Sequence, residues 1–233
     1  MTVAQVAAVR AQIKSTFFEG LAPAELNAVL AGARYSRFPA GTVVCSQGMP
    51  ADRMFLIVTG RARYFVLTPQ GTKILLFWLP EGEVFGGMAM HHHPTDYIAS
   101  TETIRDSTVL VWDRPTIRRL AMRYPRLLDN GLILAAEYLT FCVAAHIALT
   151  CKTAAERLAA ILLNLAQGIG HMAPNGIEIE VSNEELAQAA NMTHFTASRL
   201  INQWQRRGAL IKTRGKILLR SPEKLIVTEN ESE

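Results

Sequence analysis

The sequence predicts an α+β protein in three parts. These are an N-terminal antiparallel β-roll of the double-stranded jelly-roll kind over 1–124, a long helix over 125–151, and a small domain of helices and a β-hairpin over 152–233. Three observations carry that expectation. From Arg34 to Asp113 the chain runs in short β-branched and aromatic stretches punctuated by glycine; after Pro125 apolar residues recur in alternating steps of four and three; near the C-terminus two capped helical segments lead into a basic hairpin. With 233 residues, 49% of them hydrophobic, the chain can bury a substantial core.

The N-terminal stretch "MTVAQVAAVRAQIKS" reads as short helix, and Arg10 and Lys14 interrupt it too early for the apolar centre of a signal peptide. The runs "TVVCSQG", "RMFLIVTG", "RARYFVLTPQG", "KILLFWLPEG", "EVFGG" and "STVLVWD" then read as successive strands, with Gly41, Gly48, Gly60, Gly71 and Gly82 in tight turns. A short helix follows near Pro115 to Met122. Cys45, Cys142 and Cys151 are an odd number of cysteines at wide spacing, which fits a reduced, cytoplasmic protein better than a disulfide framework.

The long helix opens at Pro125, a residue suited to a first helical turn. Leu128, Leu132, Ala135, Leu139, Cys142, His146 and Leu149 form its stripe, whose spacing is that of a coiled-coil seam. A helix packed on its own β-domain has similar spacing. Ala135, Cys142 and His146 make a poor intramolecular core and a tolerable close helix pair, so the stripe is expected to join two copies of the chain. Glu137, Thr140 and His146 interrupt the most apolar stretch, so no segment is expected to reach the roughly 18 apolar residues of a membrane span, and no membrane partner is expected.

A further helix is expected over Ala154 to Gln167, ended by the glycines and proline of "GIGHMAPNG" and followed by the strand "IEIEV". In "VSNEELAQAANMTHFTASRLINQWQRRG", Ser182 and Glu185 form a capping box, Asn191 to Thr193 make a turn, and Thr193 caps a second helix. Ala197, Leu200, Ile201 and Trp204 are its inner stripe. "ALIKT" and "KILLR" flank Arg214-Gly215 as a hairpin, completing a winged helix-turn-helix. From His194 to Arg220 the chain has seven lysines and arginines and no acid, as a polyanion partner requires. DNA is the partner expected, with His194, Phe195, Ser198 and Arg199 at base edges and Thr193, Thr196, Asn202, Lys212, Arg214 and Lys216 at phosphates. The acidic tail, Glu229 to Glu233, is expected to fray.

The chain resembles the CRP/FNR family of bacterial transcription regulators over nearly its whole length. "GTVVCSQGMPADRMFLIVTGRARYF" resembles the opening of that family's β-roll, "EGEVFGGMAM" its pocket-forming turn, "AAERLAAILLNLA" the segment after its dimer helix, and "SNEELAQAANMTHFTASRLINQW" its DNA-binding motif. The resemblance implies a homodimer on a pseudo-palindromic promoter site, with RNA polymerase as a further partner. It also exposes departures. Where cyclic-AMP-binding members have a glutamate and, ten residues on, an Arg-Ser pair, this chain has Gly87, Tyr97 and Ile98; at the helix positions near the adenine it has Cys142 and Val143. A buried phosphate without a cation is costly, so control by cyclic AMP is not expected. Met88, Met90, Tyr97, Ile98, Phe141, Cys142 and Val143 either line an apolar space for an uncharged small effector or simply fill it. Phe195 stands where the family commonly has an acid, while Ser198 and Arg199 match its Ser-Arg version.

Alternatives remain. His91, His92 and His93 are consecutive, a poor arrangement for one metal ion, and a solvated loop explains them. Cys142 and His146, four apart on one helical face, keep open a haem- or metal-loaded sensor of the same architecture, although no resident metal or cofactor is expected. A small-molecule-binding module without a DNA role is the rival of another class. No nucleophile elbow or phosphate-binding glycine loop is present, so no catalytic site is expected and the chain is not read as an enzyme.

Overall fold

A computed structural model describes residues 3–71 and 73–225; the acidic tail lies outside the described residues. Contacts divide the chain into two compact units, Met1–Phe141 and Cys142–Glu233, with the division falling inside the long helix.

In the first unit, α1 (Val3–Gln12), a 3-10 turn (Thr16–Phe18) and α2 (Pro23–Ala31) precede eight strands: β1 (Arg34–Phe38), β2 (Val43–Cys45), β3 (Arg53–Thr59), β4 (Ala62–Leu67), β5 (Lys73–Leu79), β6 (Val84–Phe85), β7 (Ser100–Thr103) and β8 (Ser107–Asp113). They form two antiparallel four-stranded sheets, ordered β1-β8-β3-β6 and β2-β7-β4-β5. The five glycines expected in turns all have positive φ, from +75° to +97°.

The burial of β3 explains its unbroken apolar run. Phe55 and Ile57 face the core between the sheets, with Val109, Val111, Ala62, Leu79 and Phe85. Met54, Leu56 and Val58 face a second core, formed with Phe17, Phe18, Leu30, Trp112, Ile117 and Leu127. A strand covered on both faces needs no polar alternation. Trp112 satisfies its indole by donating from Nε1 to Val29 O at 2.8 Å. On the second sheet Arg63 and Lys73 converge on Glu102 Oε2, at 2.7 and 2.8 Å. Partial burial works against the ionised Glu102, but these two cations outweigh it and hold the carboxyl below its ordinary range.

Asp113 caps α3 (Arg114–Arg123) by accepting from Thr116 N, and α4 (Arg126–Cys151) follows. Leu127, Asn130 and Leu134 are the buried face of α4. Asn130 is tolerated there because its Nδ2 donates to Phe17 O and Glu19 O, at 3.0 and 2.9 Å. Gly131 leaves room for Met90, whose Cε would lie 2.9 Å from an added Cβ. One to two turns on, Tyr138 stacks on Phe77, which also meets the edge of Phe141. The expected seam residues Leu128, Leu132, Ala135, Leu139, Cys142, His146 and Leu149 are exposed, so that stripe is not the one that packs on the roll. The expectation that no segment is long and apolar enough to span a membrane is corrected by α4, which is so by length and composition alone. Its few polar residues do not offset the leucines, isoleucines and alanines between them.

In the second unit Thr153 and Glu156 cap α5 (Ala154–Ile169), and a sheet ordered β11-β12-β10-β9 follows. It comprises β9 (His171–Ala173), β10 (Gly176–Glu180), β11 (Leu210–Thr213) and β12 (Lys216–Leu219), with α6 (Asn183–Ala189) and α7 (His194–Arg206) between β10 and β11. The segment expected only as a break supplies β9, which pairs with β10 as an edge strand. Three residues are too few to show a period, and pairing with β10 makes the strand.

Tyr138 also predicts a pH dependence. Its hydroxyl lies 3.1 Å from Val84 O and 3.2 Å from Glu83 Oε2. One phenolic proton cannot serve both acceptors, whereas a protonated Glu83 can donate to Tyr138 while Tyr138 donates to Val84. Burial pushes the Glu83 carboxyl above its ordinary range, the Tyr138 hydrogen bond opposes this, and the neighbouring Glu137 charge reinforces it. A raised folded-state value means that stabilisation by the acid is complete below the unfolded carboxyl's value and is lost as pH rises through the raised one. Glu83→Gln keeps a donor for Tyr138 at every pH. Thermal melts from pH 4 to 8 should show the variant more stable than the parent by roughly a few degrees at pH 7, with the gap closing towards pH 4; a variant less stable at pH 7 would contradict this.

Candidate nucleic-acid interface

The two helices of the motif are set by their caps. Ser182 Oγ accepts from Glu185 N while Ser182 N donates to Glu185 Oε2 at 2.8 Å, which starts α6. The turn needs one left-handed residue, and Asn191 takes it at φ +47°, a conformation asparagine tolerates better than most side chains. Thr193 Oγ1 then accepts from Thr196 N at 3.2 Å and starts α7. Ala197, Leu200, Ile201 and Trp204 are buried, as are Leu186, Ala187 and Ala190 in and just after α6, and small alanines suit a close helix pair.

That burial fixes what α7 presents. His194, Phe195, Arg199 and Asn202 are exposed, and Phe195 is 86% exposed. Ser198 is half-buried, with its Oγ accepting from Asn183 Nδ2 at 2.9 Å. Thr193 and Thr196 hydroxyls lie 2.9 Å apart within the cap. Arg206 and Arg207 end the helix, exposed. Gln205 Oε1 accepts from Lys212 N at 3.0 Å and so ties α7 to the first strand of the hairpin, at whose tip Arg214 is exposed beside Gly215, φ +73°.

Lys216 departs from the rest of the basic set. Its Nζ lies 2.7 Å from Glu178 Oε1 and 3.6 Å from Glu180 Oε1. The acid-free run is acid-free along the chain only; sheet pairing of β12 with β10 sets two carboxylates beside this lysine.

Arg157 is the residue that sequence reasoning missed. From α5 its guanidinium donates through Nε to Ala190 O at 2.9 Å, through Nη1 to Lys152 O at 3.0 Å and through Nη2 to Asn191 O at 3.3 Å. It thereby joins the end of the long helix to the turn between α6 and α7. A cation in the first turn of a helix opposes the macrodipole, and that anomaly is the one signal in the sequence that marks it.

The residues expected around an effector differ in burial. Tyr97 is buried in the inter-sheet core beside half-buried Met88; its hydroxyl donates to Arg53 O at 2.9 Å and accepts from Arg53 N at 3.1 Å. Met90 packs in the other core of the unit. Ile98 is 65% exposed, Phe141 is half-buried against Phe77, and Cys142 and Val143 are exposed on α4. The three histidines are exposed, with the His91 and His92 carbonyls accepting from Arg114 Nη2. Among the described residues no group of three or more His, Cys, Asp or Glu is placed to hold a metal ion.

These features agree with known families. Residues 35–124 match the cyclic nucleotide-binding domain model, and residues 156–227 match the Crp-like helix-turn-helix domain model. The chain is 25% identical over 215 residues to the CRP-like cAMP-activated global transcriptional regulator of Mycobacterium tuberculosis, covering 91% of this chain and 95% of that one. It is 27% identical over 197 residues to the cyclic AMP receptor protein of Thermus thermophilus, covering 84% and 88%. Its fold is shared with the c-di-GMP-responsive global regulator CLP of Xanthomonas campestris, at 18% identity and TM-score 0.76, covering 85% and 99%. The chain belongs to the CRP/FNR family of DNA-binding transcription regulators.

Proposed function

We propose that the chain works in the cytoplasm as a homodimer on a pseudo-palindromic promoter site, with RNA polymerase as its further partner, and that cyclic AMP does not control it. The observation that carries the DNA reading is the outward face of α7. An apolar stripe holds one side of this helix in the domain, and its first two turns leave His194, Phe195 and Arg199 in solvent, followed by a basic hairpin. His194, Phe195, Ser198 and Arg199 read bases; Thr193, Thr196, Asn202, Lys212 and Arg214 contact phosphates. Lys216 is removed from the phosphate set, since two carboxylates already neutralise it.

The exposed stripe of α4, with Leu132 72% and Leu139 65% exposed, supports dimerisation through Leu128, Leu132, Ala135, Leu139, Cys142, His146 and Leu149. Against cyclic AMP stand the residues at the expected phosphate position. Tyr97 has its hydroxyl committed to Arg53, Ile98 has no polar atom in its side chain, and the nearby-strand cations Arg63 and Lys73 are both paired with Glu102. The two relatives named above for cyclic AMP therefore share the fold but not this chain's signal.

Arg199→Ala should lose about 1 to 3 kcal/mol on a duplex selected from genomic fragments while binding to scrambled duplex stays unchanged; equal losses on both would make Arg199 a phosphate contact. Arg214→Ala should weaken all duplexes and reduce the salt slope by about one, whereas Lys216→Ala should leave the slope within experimental error. Failure of the parent chain to bind any duplex at low salt would overturn the reading as a whole. Millimolar cyclic AMP should leave the melting temperature unchanged, and a rise of several degrees would overturn the effector assignment.

A further inference from the structure

Phe195 is a large apolar side chain in the first turn of α7, 86% exposed, on a helix whose other large apolar residues, Leu200, Ile201 and Trp204, are at most 8% exposed. It contributes nothing to the core of its domain. The neighbouring polar groups are partly committed: Thr193 and Thr196 to each other and to the cap, and Ser198 Oγ to Asn183. The ring of His194 lies edge-on to Phe195 with centroids 6.2 Å apart, so the two form one aromatic projection from the helix start. Arg199 stands four residues further on, on the same helical face.

A phenyl ring offers neither donor nor acceptor. In the major groove, guanine, cytosine and adenine edges present only such groups, and the single apolar feature is the 5-methyl of thymine. We infer that Phe195 reads a thymine methyl, and that the half-site carries this thymine close to the guanine read by Arg199. Four residues of helix rise about 6 Å, and base pairs along the duplex lie about 3.4 Å apart, so the two bases are separated by about two steps. The exposed cations that follow Phe195 along α7 and at its C-cap, Arg199, Arg206 and Arg207, bring the phosphate backbone to this face, and the ring then selects among base edges. The inference rests on the proposed reading of α7 as the base-contacting helix.

The test uses the full chain and a duplex selected from a random-sequence pool. Each thymine in turn is replaced by deoxyuridine, which keeps every hydrogen-bonding group of the base edge and removes only the methyl. At one thymine per half-site, within about three base pairs of the guanine to which Arg199→Ala is sensitive, the parent chain should lose affinity about three- to tenfold, the value of one buried methyl. Phe195→Ala should bind the thymine and deoxyuridine duplexes equally. Because the side chain lies outside the core, its melting temperature should match the parent's. A parent chain indifferent to deoxyuridine at every position overturns the inference, as does a Phe195→Ala chain that keeps the same sensitivity; in both cases sequence-selective binding itself still stands. If selection enriches no sequence over scrambled duplex, the reading of α7 as a base-contacting helix fails instead.

Discussion

The architecture depends on a single helix being apolar on two sides. Along α4, Leu127, Asn130, Leu134, Tyr138 and Phe141 turn towards the roll, while Leu128, Leu132, Leu139 and Leu149 stay in solvent. The inner side is specified by more than oil-like packing. Asn130 answers two backbone carbonyls of the turn after α1, Gly131 admits Met90, and the hydroxyl of Tyr138 reaches the strand edge at Glu83 and Val84. With the inner stripe fixed by these directional contacts, the helix cannot rotate to hide its outer leucines. The exposed stripe is thus a consequence of how the helix is anchored, and its exposure supports the proposed pairing of two chains.

The second unit solves a different problem, which is to hold a helix by one side so that its other side is available. Burial of Trp204, Ile201 and Ala197 sets the rotation of α7, and Thr193 sets where it begins. Arg157 then fastens the preceding turn by bonding to Ala190 and Asn191 carbonyls, while also holding the Lys152 carbonyl at the end of α4. Carbonyls at a helix end and in a turn lack partners of their own, and a guanidinium with several donors in a fixed fork can serve three of them together. One side chain therefore sits at the junction between the long helix and the motif that presents Phe195 and Arg199.

Local signals in the sequence were enough for much of this. Capping at Ser182 and Thr193, the positive-φ glycines of the roll and the stripe of α7 all depend on residues within one or two turns of each other. Other features join distant residues and left no local trace. Lys216 meets Glu178 across 38 positions, Tyr97 bonds to Arg53 across 44, and Arg157 reaches Ala190 across 33. The edge strand His171–Ala173 is too short to carry a pattern. Glu137, Thr140 and His146 break the apolar run of α4 but leave the mean over the helix high, and the mean decides whether it is apolar enough for a membrane. Phe195 is legible in the sequence as an apolar ring where the family commonly has an acid, and its 86% exposure shows that the core of its domain does not claim it.

In the proposed dimer two chains, joined along the outer stripe of α4, present two copies of α7 to one duplex. Sedimentation of the purified chain with a selected duplex, at chain concentrations well above the dissociation constant, measures the mass of the complex and hence its stoichiometry. Two chains per duplex, and two chains per particle without DNA, is the result expected of the proposed dimer. A complex of one chain per duplex, retaining full affinity, would contradict it.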